Sequence, residues 1–179
     1  MENSKRKKAL VTGGSRGIGR AIALRLAQSG FDICLTYRSN TDAAQKVKKE
    51  IETIGIACEL LAFDISSQKQ SREMLEDRFE AVPPHVVVLN AGVARDNLMM
   101  WMTEEEWNTV LRTNLDGFYN VIRPLLFPML REKRGRIIVI SSTSGQTGQA
   151  GQVNYSASKA GLIGAAKALA REIGKKNIL

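Results

Sequence analysis

The sequence predicts an α/β fold: a doubly wound parallel sheet in a three-layer αβα arrangement. Three observations carry this. Short, fully apolar runs alternate with stretches of helical periodicity, as strands buried on both faces require. A glycine-rich turn follows the first apolar run, where an open parallel sheet binds nucleotides. The 179 residues are 44% hydrophobic, enough for one substantial core. No linker or repeat divides them, so residues 1–179 read as a single domain.

The elements follow in order. Residues 9–11 form a short strand that ends in the glycine-rich turn. Ile18, Ile22, Leu24, Leu26 and Ala27 recur at helical spacing, and Gly30 closes that helix. Residues 31–37 are a second strand. Thr41 caps a helix to about Ile54, closed by Gly55. Residues 56–63 are a third strand, 66–81 a third helix and 85–89 a fourth strand ended by Asn90-Ala91-Gly92. Thr103 and Glu106 form a capping box that opens a long helical stretch toward Arg134. Pro124 and Pro128 fall inside it and should kink or break it. Residues 136–140 are a fifth strand, and 153–174 a helix rich in Ala, Gly and Ser. Residues 177–179 look like the start of a sixth strand.

Composition narrows the function. Residues 1–8 are polar and basic with no apolar stretch behind them, so no signal peptide is expected. No apolar run approaches bilayer length. Cys34 and Cys58 sit in strand-like runs and read as reduced, buried thiols of a cytoplasmic protein. The net charge is +8. The basic residues are dispersed, without the interleaved aromatics of a single-strand platform, so nucleic acid is not the expected partner. An acidic cofactor and an acidic protein partner account for the same charge.

The turn Thr12-Gly13-Gly14-Ser15-Arg16-Gly17-Ile18-Gly19 joins strand to helix. Glycines there let the backbone approach a pyrophosphate, and the helix N-terminus offers free N–H groups and a positive dipole end. Sites for NAD place an acid after the second strand to bind the ribose 2′-hydroxyl. Here that region reads Thr36-Tyr37-Arg38-Ser39-Asn40. Arg38, flanked by Arg16, instead suits a 2′-phosphate, which selects NADP(H).

Tyr155 and Lys159 are four apart and share one helix face. A neighbouring ammonium favours the phenolate form of a tyrosine, and such a phenol can protonate a carbonyl oxygen as hydride reaches the carbon. Ser141-Ser142 ends the fifth strand at the sheet edge where ligands bind. Asn114 sits mid-helix, where Asn is disfavoured, and reads either as a solvent-facing side chain or as a functional one. His85 reads as a loop residue. No Cys/His cluster has metal spacing, so no metal is expected. Met99-Met100-Trp101-Met102 reads as packing near a helix start, or as a flexible apolar substrate wall.

Thr-Gly-x3-Gly-x-Gly, Asn90-Ala91-Gly92, Asn114, Ser142 and Tyr155-x3-Lys159 occur in the order and spacing of the short-chain dehydrogenases/reductases. The chain resembles that family from Lys8 to Leu179, with Leu89 where many members have a first Asn. The resemblance implies a Rossmann-type sheet. It implies Tyr155 as acid/base and Lys159 binding the nicotinamide ribose. Ser142 would hold the substrate oxygen, and Asn114 would anchor a water in a proton relay. Gly13, Ser15, Arg16, Gly17, Ile18, Gly19, Arg38, Asp64, Ile65, Asn90, Ala91 and Gly92, with Tyr155 and Lys159, would bind the cofactor.

Within the family, the stretches around Arg95-Asp96 and Gly151 to Gly161 are most similar to bacterial 3-oxoacyl-[acyl-carrier-protein] reductases. The substrate implied is a 3-oxoacyl group on acyl carrier protein, met at Arg131, Lys133, Arg134, Lys175 and Lys176. Alternatives are another carbonyl (acyl-CoA, a sugar, a small ketone) or a nucleotide-binding module without activity. The complete protein would be a dimer or tetramer. Set against the family, the fold is expected to lack its C-terminal strand and substrate lid, and the chain alone to be poorly stable, to bind NADPH weakly and to show little or no reductase activity.

Overall fold

The computed structural model describes residues 6–179. Met1 to Lys5, part of the stretch expected to carry no signal peptide, lie outside them. Five strands, β1 (Lys8–Val11), β2 (Asp32–Tyr37), β3 (Cys58–Ala62), β4 (Val86–Leu89) and β5 (Arg136–Val139), form one parallel sheet. Its order is β3-β2-β1-β4-β5. The chain therefore winds outward from β1 to β3, then crosses back to place β4 on the other side of β1. The carboxyl ends of β1 and β4 flank the switch point where such sheets take ligands.

Alternating strand residues build the two faces. Leu10, Val87 and Leu89 point to one side, with Leu75 and Phe79 of α3 (Gln68–Glu80) and Val121, Leu125 and Met129 of α5 (Gly117–Glu132). Ala9, Val11, Val86 and Val88 point to the other, against Ala23 and Ala27 of α1 (Gly17–Gln28) and Val47 and Ile51 of α2 (Thr41–Thr53). Coverage thins at β5, where Ile138 is 46% exposed. The remaining helices are α4 (Glu104–Leu111), a one-turn α6 (Ser144–Thr147) and α7 (Val153–Ile173). Among the described residues no helix is long and apolar enough to cross a membrane.

Local chemistry adjusts several expectations. Asn40, not Thr41, caps α2: its Oδ1 accepts the Ala43 N–H at 2.9 Å, and the shorter Thr side chain falls inside the first turn. The capping box at Thr103 and Glu106 is present. The prolines do not break α5, which runs through both. Burial of Val121, Ile122, Leu125 and Met129 along one face offsets the missing proline hydrogen bonds. The irregularity falls earlier, at a π turn over Arg112–Asp116. Met99, Met100 and Trp101 are not packed: they are 62%, 77% and 62% exposed. They lie in turns ahead of α4, so no helical face draws them to the core.

Residues at the chain end line up beside β5. Leu179 N–H donates to Gly135 O, and Ile137 N–H donates to Leu179 O at 2.8 Å. Cys34 and Cys58 are free and buried. Burial pushes their thiols up to about 12 and about 11, so both stay protonated and unreactive at neutral pH.

Candidate active site

Thr12 ends β1 and ties it to the turn after β4. Its N–H donates to Val88 O at 2.9 Å, and its hydroxyl accepts from Asn90 N and Ala91 N, both at 3.0 Å. Asn90 Nδ2 returns bonds to Thr12 O and Gly13 O. Thr36 Oγ1 accepts the Gly13 N–H from the β2 side. Close approach demands the glycines. Gly13 has φ +64°, and a Cβ there would sit 2.9 Å from Ala91 Cα. A Cβ on Gly19 would collide with the Asn90 carboxamide and the Gly13 carbonyl.

A cavity of about 390 Å³ opens at this switch point. Gly13, Ser15, Arg16, Gly17, Ile18 and Gly19 line it from the loop, and Arg38 from the end of β2. Asp64 and Ile65 line it after β3, and Asn90, Ala91 and Gly92 after β4. The structure thus gathers twelve sequence-predicted residues around one space. Gly17, Ile18 and Gly19 begin α1, so their N–H groups lack partners within the helix. Arg16, the N-cap, supplies no side-chain bond, and the first turn holds no acid. An uncapped helix N-terminus facing a cavity fits a phosphate. Arg38 Nη1 stands 3.9 Å from Asp64 Oδ2, while Asp64 Oδ1 accepts from Ser66 N and Oγ. The guanidinium is 62% exposed and so remains available to a ligand anion.

Beyond Gly92 lies the second group. A Cβ on Gly92 would meet Asn114 Oδ1 at 3.1 Å and Lys159 Nζ at 3.6 Å, so both side chains converge behind Gly92, which lines the cavity while they, Tyr155 and Ser142 do not. Tyr155 and Lys159 sit one turn apart on α7, the ammonium 5.6 Å from the ring centroid. Lys159 is buried, and its Nζ donates to Ile140 O at 2.8 Å. Burial holds its pKa below the ordinary lysine value.

Asn114 is buried in the π turn, not exposed on a helix face. Its Oδ1 accepts the Val93 N–H at 2.8 Å, and its Nδ2 donates to Val93 O and Ser158 Oγ, both at 3.0 Å. Ser141 donates its hydroxyl to Lys159 O. Ser142 Oγ accepts the Ser144 N–H at 3.2 Å, at the start of α6.

Residues 7–179 match the family model described as short chain dehydrogenase. The chain belongs to that family. It is 53% identical over 171 residues to the 3-oxoacyl-[acyl-carrier-protein] reductase FabG of Aggregatibacter actinomycetemcomitans, covering 94% of this chain and 71% of the relative. The protein of the same name from Staphylococcus epidermidis is 42% identical over 96% of this chain and 71% of its own length. An acetoacetyl-CoA reductase from Shinella zoogloeoides is 44% identical over 95% of this chain and 69% of its own.

In this dehydrogenase-family chain, sequence reasoning passed over several residues. Thr12 and Thr36 are buried polar groups that hold the loop rather than line the motif's glycines. Their signal was a hydroxyl at the end of a buried strand, where an apolar residue would be expected. Tyr37, Ser39 and Asn40 also line the cavity. Asn154 and Ser158 flank Tyr155 within the Tyr-x3-Lys helix and are fully buried.

Proposed function

We propose that this chain reduces 3-oxoacyl thioesters to 3-hydroxyacyl thioesters with NADPH, on acyl carrier protein in acyl-chain synthesis, as a cytoplasmic enzyme. The observation that carries the reading is the meeting of Asn114 and Lys159 at Gly92, on the wall of a cavity fronted by an uncapped helix N-terminus. The 53% identity to a 3-oxoacyl-[acyl-carrier-protein] reductase supports the substrate class.

In this reading the loop N–H groups of residues 15–19 hold the pyrophosphate. Arg38 and Arg16 hold the 2′-phosphate, and Asp64 and Ile65 border the adenine. The bound reduced nicotinamide supplies a hydride to the carbonyl carbon. Tyr155 gives its phenolic proton to the carbonyl oxygen. Lys159 holds a positive charge beside the phenol, stabilises the phenolate left behind and binds the nicotinamide ribose. The Ser142 hydroxyl donates to the substrate oxygen and orients it. The Asn114 carboxamide is committed to Val93 and Ser158. In this reading its main-chain carbonyl holds a relay water that returns a proton to Tyr155.

The reading treats residues 1–179 as one domain and the working form as a homo-oligomer, dimer or tetramer. Tyr119 and Phe127 on α5, 53% and 66% exposed, give such an interface apolar surface. The similarity to an acetoacetyl-CoA reductase favours a second reading, reduction of acyl-CoA thioesters. Oxidation of NADPH by acetoacetyl thioesters of carrier protein and of CoA, followed side by side, tests both. Faster turnover on the carrier thioester is expected. No substrate-dependent oxidation of NADPH by the complete protein would end both readings.

A further inference from the structure

We infer that Asn154 is a positioning residue that sets Tyr155 against Asn114, an inference that rests on the reductase reading above. Asn154 is fully buried at the start of α7. The N-cap there, Gln152, turns its side chain to Asp96 and Ser144 and makes no capping bond, so the first N–H groups of the helix need partners from elsewhere. Asn154 Oδ1 accepts the Tyr155 N–H at 2.7 Å. Its Nδ2 donates to Arg95 O at 2.9 Å and reaches Glu106 O at 3.4 Å.

One carboxamide thus joins three pieces of chain. They are the residue that bears the phenol, the segment after β4 and the helix α4. The last of these continues into the π turn that carries Asn114. The other side of Tyr155 is held as well: Ser158 Oγ donates to Tyr155 O at 2.7 Å and accepts from Asn114 Nδ2. The main-chain donor and acceptor of Tyr155 are therefore both taken by buried side chains. Asn154 and Ser158 thus hold the backbone from which the phenol projects in register with the Asn114 segment. An apolar residue could fill the space but could not make these bonds, and a buried carboxamide is costly unless all its groups are partnered. Reactions of this kind depend on placement, and a shift of about 1 Å costs about a hundredfold in rate.

Two variants separate the jobs of the carboxamide. Asn154→Asp keeps an acceptor for the Tyr155 N–H but turns an oxygen toward two carbonyls. Asn154→Ala removes both. Turnover of an acetoacetyl thioester is measured in the full chain per NADPH-binding site, counted by cofactor fluorescence, across a pH series. Amide hydrogen exchange at Tyr155 is measured alongside, and Tyr155→Phe serves as control. Both Asn154 variants are expected to lose about tenfold or more in kcat per site, with NADPH affinity unchanged and the pH profile displaced. The Tyr155 amide should exchange faster in Asn154→Ala only. Should Asn154→Ala fail to fold, Asn154→Asp decides by the same turnover and pH readings. Normal kcat per site and a normal pH profile in a merely less stable variant overturn the inference. If Tyr155→Phe itself turns over normally, the reductase reading falls and this inference with it. If Tyr155→Phe is inactive while the Asn154 variants are not, this inference alone falls.

Discussion

Lys159 donates its ammonium to the carbonyl of Ile140 at 2.8 Å, at the carboxyl end of β5. The helix that carries Tyr155 is thereby pinned to the sheet edge by the same group that charges the phenol's surroundings. Tyr155→Phe keeps that bond and should leave NADPH binding nearly intact while lowering turnover by about two orders of magnitude or more. Lys159→Ala loses both and should weaken cofactor binding and turnover together. Steady-state kinetics with equilibrium cofactor titration separate the two. Near-normal turnover in Tyr155→Phe would remove the phenol from the mechanism.

The same lysine predicts a pH dependence. Burial lowers its pKa in the folded state below the ordinary 10.5. As pH rises through the window from that lowered value up to 10.5, the unfolded chain still holds a proton that the folded chain has released. The unfolded state then binds more protons, so this group adds stability with rising pH. Cys34 and Cys58 titrate alike in parent and variant. Urea unfolding across that range should therefore show the parent gaining on Lys159→Met as pH increases. A constant difference between the two chains would mean the ammonium is solvated.

Arg38 should decide between cofactors. Arg38→Asp is expected to weaken NADPH binding by on the order of 1–3 kcal/mol, the scale of one charge-assisted hydrogen bond, with little effect on NADH. Isothermal titration with each cofactor measures it. Equal affinity of the parent for both would sink the assignment.

Carrier docking should show in charge reversal. Arg131 is paired with Glu80, and Arg134 Nη2 lies 3.5 Å from Glu132, so these two are less available. Lys133 is exposed at the end of α5, and Asn177 Nδ2 donates to its carbonyl, which brings it near Lys175 and Lys176. Lys133→Glu with Lys176→Glu should slow reduction of the carrier thioester more than that of a small thioester. The gap should close as salt screens exposed charge. Equal losses on both substrates would argue against docking at this patch.

What was legible in the sequence was local or periodic. The glycine-rich loop, the capping box at Thr103 and the Tyr155–Lys159 spacing are set by neighbours a turn away, and the structure shows the loop on a cavity wall, the box closed and the pair one turn apart. The succession of strands and helices followed from alternating apolar runs, while the spatial order of the strands did not. What stayed hidden depends on distant partners. Asn114 reads as a poor helix residue until Val93 and Ser158 are seen to bond its carboxamide. Asn154 is silent until Arg95 and Glu106 come to it. Pro124 and Pro128 signal a break that the buried face of α5 overrides. Met99 to Trp101 look like core by composition yet lie in an exposed turn, because hydrophobicity alone says nothing of which face a turn presents.

The π turn at Arg112–Asp116 amounts to one extra residue threaded into an otherwise continuous helical path from Glu104 to Glu132. Each residue of an α-helix turns the chain by about 100°. The widened turn takes up that rotation locally, so deleting one residue here would restore a regular helix and leave Val121, Leu125 and Met129 on the sheet. What the deletion would remove is the bulge itself, in which Asn114 reaches Val93 and Ser158. The insertion re-aims one side chain without disturbing the rod on either side of it.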